Sequence, residues 1–181
     1  MDNGFSAFVA RWRVPFGFLL GIAYLVLAQP TAPLLIAGSV VALLGLAIRA
    51  YAAGHLQKDQ RLAVSGPYSY SRNPLYLGSL LIGIGLVLAG AQWVLGAVFV
   101  VFFLVVYGPV MRREERNLRQ RFGQAFDEYA AAVPLFFPYR KPLKLSRERF
   151  DWKRYLKNHE YEAALGYLLG IIFLVIKILL R

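Results

Sequence analysis

The chain has 181 residues, enough for one domain, with 58% hydrophobic residues, 17% charged residues and a formal charge of +11. The apolar residues come in nearly uncharged blocks long enough to approach a hydrocarbon core of about 30 Å, and in such a chain the positive charge points to an anionic membrane surface rather than to nucleic acid. There is no cysteine, which excludes disulfides, thiolate metal sites, iron–sulfur clusters and cysteine nucleophiles.

These features predict an all-α polytopic membrane protein with about five transmembrane helices in a single membrane domain, residues 1–181. Arg11 and Arg13 precede the first apolar run, as in a signal peptide, but no small-residue cleavage site follows it. The run from Val14 to Ala28 therefore reads as a retained first span. Gln29-Pro30-Thr31-Ala32-Pro33 is an uncharged turn, because proline lacks a donor and stops a helix. The second span runs from Leu34 to Ile48, and a polar segment from Arg49 to Pro74 follows. The third span covers Leu75 to Gly90, Ala91-Gln92 is a minimal turn, and the fourth span covers Trp93 to Val110. After the long polar stretch Met111–Glu162 comes the fifth span, Ala163 to Leu180, which Lys177 interrupts.

Charge orients these spans. The segment between spans two and three carries Arg49, Lys58, Arg61 and Arg72 against Asp59, and the stretch after span four carries thirteen Lys or Arg and eight acids. The two opposite turns carry no charge. The positive-inside rule then puts the N-terminus and both polar segments in the cytoplasm and the C-terminus on the opposite side, where Lys177 and Arg181 can snorkel. Residues 139–162 read as a basic interfacial segment, with Trp152, Tyr155, Leu156 and His159 on one helical face suited to anionic membrane lipids.

Small residues recur at helix-packing spacing: Gly17 with Gly21, Gly166 with Gly170, and Gly78, Gly83, Gly85 and Gly90 in span three. Close backbone approach in lipid is the expectation, with room for a cofactor at Gly83-Ile84-Gly85 as the alternative. The same spacing serves packing within one chain or dimerisation, and the sequence does not choose.

Zinc-protease, Walker and nucleophile-elbow patterns are absent, and the two histidines are too few for a haem or histidine-rich metal site, so no metal is expected. Chemistry is left to the two cytoplasmic segments. In the first, Gly66-Pro67 is a turn and Asn73-Pro74 reads as the cap and first position of span three. Arg72 is thereby held at the mouth of a helix, with Tyr68, Tyr70 and Tyr76 around it; an interfacial aromatic belt is the plain alternative. In the second, Met111, Leu118, Phe122, Phe126, Tyr129 and Val133 form one apolar stripe at helical spacing, and Glu115 falls on it. A carboxylate there needs a cation. Arg112 and Arg119 offer local pairs, but a functional Glu115 is the favoured reading, with Glu114 beside it. Spans three and four form a hairpin, so Arg72 and Glu115 should emerge next to each other. His55 closes the polar extension of span two and reads first as a hydrogen-bonded interfacial residue.

Gly66-Pro67-Tyr68, then Arg72-Asn73-Pro74-Leu75-Tyr76 and Gly78, resemble the signature of the isoprenylcysteine carboxyl methyltransferase and phospholipid methyltransferase superfamily. Glu114-Glu115, followed by Leu118, Phe122-Gly123, Tyr129 and Val133-Pro134-Leu135-Phe136-Phe137-Pro138, resemble its second motif. The resemblance covers Leu34 to Pro138 and leaves the tail outside. It implies a membrane-embedded methyltransferase that uses S-adenosylmethionine, with a cytoplasmic-side cofactor pocket over the hairpin of spans three and four. A lipophilic acceptor, a prenylcysteine-like carboxylate or a lipid head group, would enter from the bilayer.

The family's elements map onto Arg72, Pro74, Tyr76, Glu114 and Glu115, and Tyr68, Asn73 and His55 complete the residues expected at the cofactor. Glu115, Arg72 and Arg116 are the candidates for the reaction itself, with Arg116, or an arginine from the tail, holding a carboxylate acceptor. An amine acceptor would instead need a base, from His55 or a glutamate. The prenylcysteine enzymes usually have histidine where this chain has Asn73, which cannot carry a proton. A non-catalytic lipid-binding or scaffold protein is the alternative, and a membrane reductase of the sterol-reductase type a lesser one.

Overall fold

Proline at helix starts and short turns divide the apolar sequence into helices, while Pro15 and Pro109 are accommodated inside them. The computed structural model describes residues 3–57, 61–139 and 148–180, and every regular element in them is helical. Lys58, Asp59, Arg181, the 140–147 part of the basic segment and the side chains of Arg11 and Arg13 lie outside the described residues. Helix α1 spans Asn3–Leu27 and stops before Pro30. Helix α2, Ala32–His55, starts with a proline in its first turn and runs through Arg49 to His55, so the polar extension of span two is continuous helix. A short 3-10 turn covers Gly66–Ser69. Helix α3, Pro74–Gly90, begins at the predicted proline and ends at Ala91, whose φ of 51° reverses the chain.

Helix α4, Trp93–Phe122, continues well beyond the apolar run. It ends at Gly123, where φ is 51°, and α5, Gln124–Ala132, follows. The apolar stripe read from Met111 to Val133 is therefore not one helix; the positive φ at Gly123 breaks it in two. Its apolar halves still meet, because Phe126, Tyr129 and Val133 form a buried cluster against Leu118, Phe122, Leu62 and Val64. Helix α6, Trp152–Lys157, and α7, Tyr161–Leu179, complete the chain. His159 does not continue the face of α6: it turns the chain toward α7 in a left-handed conformation, φ 55°. Trp152 and Leu156 of that face are exposed.

Three helices are long and apolar enough to cross a membrane: Ala32–His55, Trp93–Phe122 and Tyr161–Leu179. Pro15–Leu27 and Pro74–Gly90 are apolar but shorter.

The closest helix pair is α2 with α3, not α3 with α4. A Cβ on Gly45 would lie 2.6 Å from the Gly78 carbonyl oxygen, and one on Gly85 would lie 2.6 Å from the Ala42 nitrogen. Gly38 faces Gly85 and Ala89 in the same way. Antiparallel backbones thus touch at two levels, seven residues apart on each helix, where no side chain would fit. Gly83 is filled by the ring of Phe99, which leaves no cofactor space there. The expected packing at Gly21, Gly166 and Gly170 is not found, since nothing lies within 4 Å of a Cβ at any of them. Lys177 has a specific task rather than a snorkelling one. Its Nζ donates to the Leu25 and Val26 carbonyls at 3.0 and 2.7 Å, satisfying acceptors that the end of α1 leaves open.

Candidate active site

The first motif is a turn pinned from behind. Gly66 has φ 56°, and a Cβ there would lie 2.7 Å from His55 Nε2. His55 is buried, with Nδ1 2.8 Å from the Tyr51 carbonyl oxygen. It therefore seats the turn and does not line the main cavity, contrary to its expected place among the cofactor residues.

The turn is then stitched to the second motif. Arg72 N–H donates to the Pro134 carbonyl at 3.0 Å, and Asn73 Nδ2 donates to the Leu135 carbonyl at 3.0 Å. Asn73 sits at the N-cap position, but its side chain makes no capping bond; it holds the Pro134–Leu135 strand of chain instead. Tyr129 Oη donates to the Tyr68 carbonyl at 2.8 Å. Burial pushes both phenols well above the ordinary tyrosine range, and the charges of Glu160 and Glu114 add to the effect at Tyr68. Both rings stay neutral, so Tyr129 keeps its donor. Replacing Tyr129 with phenylalanine leaves the buried Tyr68 carbonyl without its partner and is expected to cost about 1–3 kcal/mol, read as a lower melting temperature.

These ties aim Arg72 at α4. Its Nη1 pairs with Glu115 Oε1, with both side chains mostly shielded from water. Glu115 thus takes its cation from the first motif rather than from Arg112 or Arg119; Arg119 pairs with Asp127. One helical position earlier, Glu114 Oε1 accepts from Tyr76 Oη at 2.7 Å. Tyr76 also packs on Tyr107, ring centroids 5.2 Å apart. Arg72 Nε is buried and has no hydrogen-bond partner among the described residues.

A cavity of about 510 Å³ opens at this junction, within the range of small-molecule sites. Arg72, Asn73, Pro74, Tyr76, Glu114, Glu115 and Tyr68 all line it. Arg116 does not; it is exposed on the other side of α4. The walls reach beyond the hairpin of α3 and α4. They include the end of α2 with Leu56 and Gln57, the loop residues Leu62 and Ala63, and Phe126 of α5. Two lining residues escaped the sequence reading, Arg49 of α2 and Glu160 just before α7. Arg49 looked like an ordinary positive-inside residue and Glu160 like one acid among many. Only the fold brings them within 2.9 Å. Among the described residues, no three His, Asp or Glu side chains gather as a metal site.

The family model for phospholipid methyltransferases matches residues 18–125, more than half of the chain. The cobalt-zinc-cadmium resistance protein CzcN of Cupriavidus metallidurans is 35% identical over 108 residues, which is 60% of this chain and 48% of that protein. The nickel-cobalt-cadmium resistance protein NccN of Alcaligenes xylosoxydans xylosoxydans is 35% identical over 82 residues, 45% of this chain and 38% of that protein. The chain thus matches less than half the length of either relative. No solved structure matches it significantly.

Proposed function

The chain belongs to the phospholipid methyltransferase family, and from that premise we propose that it transfers a methyl group from S-adenosylmethionine to a lipophilic acceptor in the cavity around Arg72 and Glu115. The observation that carries this reading is the cross-motif pair Arg72–Glu115 at a cavity of cofactor size, with Arg72 Nε buried and unpartnered. A buried N–H without an acceptor is costly. A ligand carboxylate at this guanidinium would relieve it, which fits the amino-acid end of S-adenosylmethionine. Glu114 and Glu115 are the carboxylates for its ammonium, and the Tyr76 face suits its cationic sulfur.

When bound, S-adenosylmethionine supplies an electrophilic methyl group on a sulfonium. The chain's own task is then to hold two reactants in line and to keep water away. Tyr76 and Glu114 fix each other at one wall, and Arg72 and Glu115 fix each other at the next. Leu118, Phe122 and Phe126 supply an apolar wall for a lipophilic acceptor. For a carboxylate acceptor, Arg61 and Arg121 also line the cavity, and Arg116 loses the role first expected of it. For an amine acceptor, Glu114 or Glu115 takes the proton, because His55 lies behind the turn.

We read α1 and α3 as spans alongside α2, α4 and α7, with the cavity on the cytoplasmic side and the end of α7 opposite. The apolar character of the two shorter helices supports five spans, as does the contact of Lys177 with the end of α1. Exposed Trp152 and Leu156, followed by Lys153 and Lys157 respectively, support a seat for α6 on anionic lipid.

Transfer of label from methyl-labelled S-adenosylmethionine, assayed against total membrane lipids and prenylcysteine analogues, tests the reading and identifies the acceptor. Enzyme-dependent label in a lipid or prenylcysteine fraction is expected. Folded protein that labels none of them would leave a lipid-binding or scaffold role.

A further inference from the structure

Two guanidinium–carboxylate pairs line the cavity, and the reaction as drawn uses one. The other joins Arg49 of α2 to Glu160, far along the chain and beyond the family match, which ends at residue 125. Arg49 Nε donates to one Glu160 oxygen and Nη2 to the other, both at 2.9 Å. This fork geometry is the strong form of the pair. The Glu160 side chain is only 9% exposed. Arg49 Nη1 also donates to Ser79 Oγ at 2.5 Å and faces the Leu75 carbonyl at 3.4 Å. Arg49 therefore bridges the start of α7 to the first turns of α3, the turns that carry Tyr76.

The segment leading to Glu160 is docked independently. Asp151 N–H donates to the Gly54 carbonyl at 3.1 Å, and Asn158 Nδ2 donates to the Ala53 and Leu56 carbonyls at 3.0 and 3.2 Å. The end of α2 leaves carbonyls open, and the tail satisfies them. The ring of Phe150 lies on Gly54 where a Cβ would be. His159, in its left-handed conformation, then turns the chain so that Glu160 meets Arg49.

We propose that the α6–α7 segment is a wall of the cavity and that Glu160 is a positioning residue for the site. Glu160 holds Arg49, and Arg49 holds the turns of α3 that present Tyr76. The wall stands on the contacts above; the effect on methyl transfer rests on the methyltransferase reading.

Because the natural chain has no cysteine, one thiol reports on the wall alone. Leu56→Cys, in the cavity lining at the residue whose carbonyl accepts from Asn158, is labelled with a water-soluble maleimide in the full-length protein in nanodiscs. Adding Glu160→Gln is expected to raise the labelling rate about tenfold, as for a coupling of ordinary size, while Glu160→Asp stays near the parent rate. Asn158→Ala, which loosens the same segment elsewhere, is expected to raise it too. An unchanged rate in both Glu160→Gln and Asn158→Ala overturns the wall. In parallel, Glu160→Gln in the cysteine-free chain is expected to raise KM for S-adenosylmethionine about tenfold with a smaller change in kcat, and Glu160→Asp to recover most of it. Faster labelling with unchanged KM overturns the positioning role. If the unmutated protein neither binds the cofactor nor transfers methyl groups, the methyltransferase reading fails and the labelling arm still decides the wall.

Discussion

Replacing Glu115 with alanine is expected to abolish methyl transfer while leaving the helices in place. Glu115 and Arg72 come from different motifs and pair across the cavity, mostly shielded from water. Arg72 is fixed from behind by its N–H to Pro134 and by the neighbouring Asn73 bond to Leu135. These bonds hold the backbone from which its guanidinium reaches the cavity. With Glu115 gone, Nη1 joins Nε as an unsatisfied group beside the cavity. Truncating one partner of such a pair costs about 2–5 kcal/mol, so a loss of at least about thirtyfold in kcat/KM is expected. Glu115→Gln keeps an acceptor without the charge and is expected to lie between alanine and the natural chain. Activity and circular dichroism measured on one preparation separate site from fold. Turnover near the unmutated level in folded Glu115→Ala would remove Glu115 from the site.

The largest structural effect is expected at the α2–α3 contact. Gly85 faces the backbone of Gly38 and Ala42, with a Cβ 2.5 Å from the Gly38 carbonyl oxygen. A side chain there meets main chain on both sides, which cannot swing away. Gly85→Val is expected to force the helices apart at a cost on the order of 3 kcal/mol or more. The protein should then lose its monodisperse peak on gel filtration in detergent. Gly166→Val is the control, because nothing lies within 4 Å of a Cβ at Gly166. It is expected to run as the unmutated chain does. Equal behaviour of the two variants would contradict the glycine contact.

The contrast between these glycines shows what local pattern carries and what it does not. Spacing marked Gly17, Gly21, Gly166 and Gly170, as well as Gly78 and Gly85 in span three; only the last two of these touch backbone, and their partners, Gly45 and Gly38, were not marked. Their spacing of seven is meaningful only when two helices are laid antiparallel, which no single segment reveals. Helix starts fared better. Pro74 opens α3 and the Ala91-Gln92 turn divides α3 from α4, because proline and a short polar break act locally. The length of α4 and its stop at Gly123 were not legible, because the apolar stripe continues across a glycine whose φ depends on the fold.

The site followed the same division. Arg72 beside Glu115 was readable as two motifs on one face, and the structure brings that pair into contact; the bond of Tyr76 to Glu114 was not foreseen, although both residues were singled out. Arg116 was one helical position too far round α4 to reach the cavity. His55 was drawn toward the site by its chemistry, but its buried ring serves the turn at Gly66. Arg49 and Glu160 carried no local signal at all, since their pairing depends on the tail folding back over the end of α2.

The central claim is that the cavity at Arg72 and Glu115 receives S-adenosylmethionine. Calorimetric titration of the purified, unmutated protein in detergent with S-adenosylmethionine tests it most directly. The account predicts saturable binding, one cofactor per chain, that Glu115→Ala removes. No detectable binding by folded, unmutated protein at millimolar cofactor would contradict it.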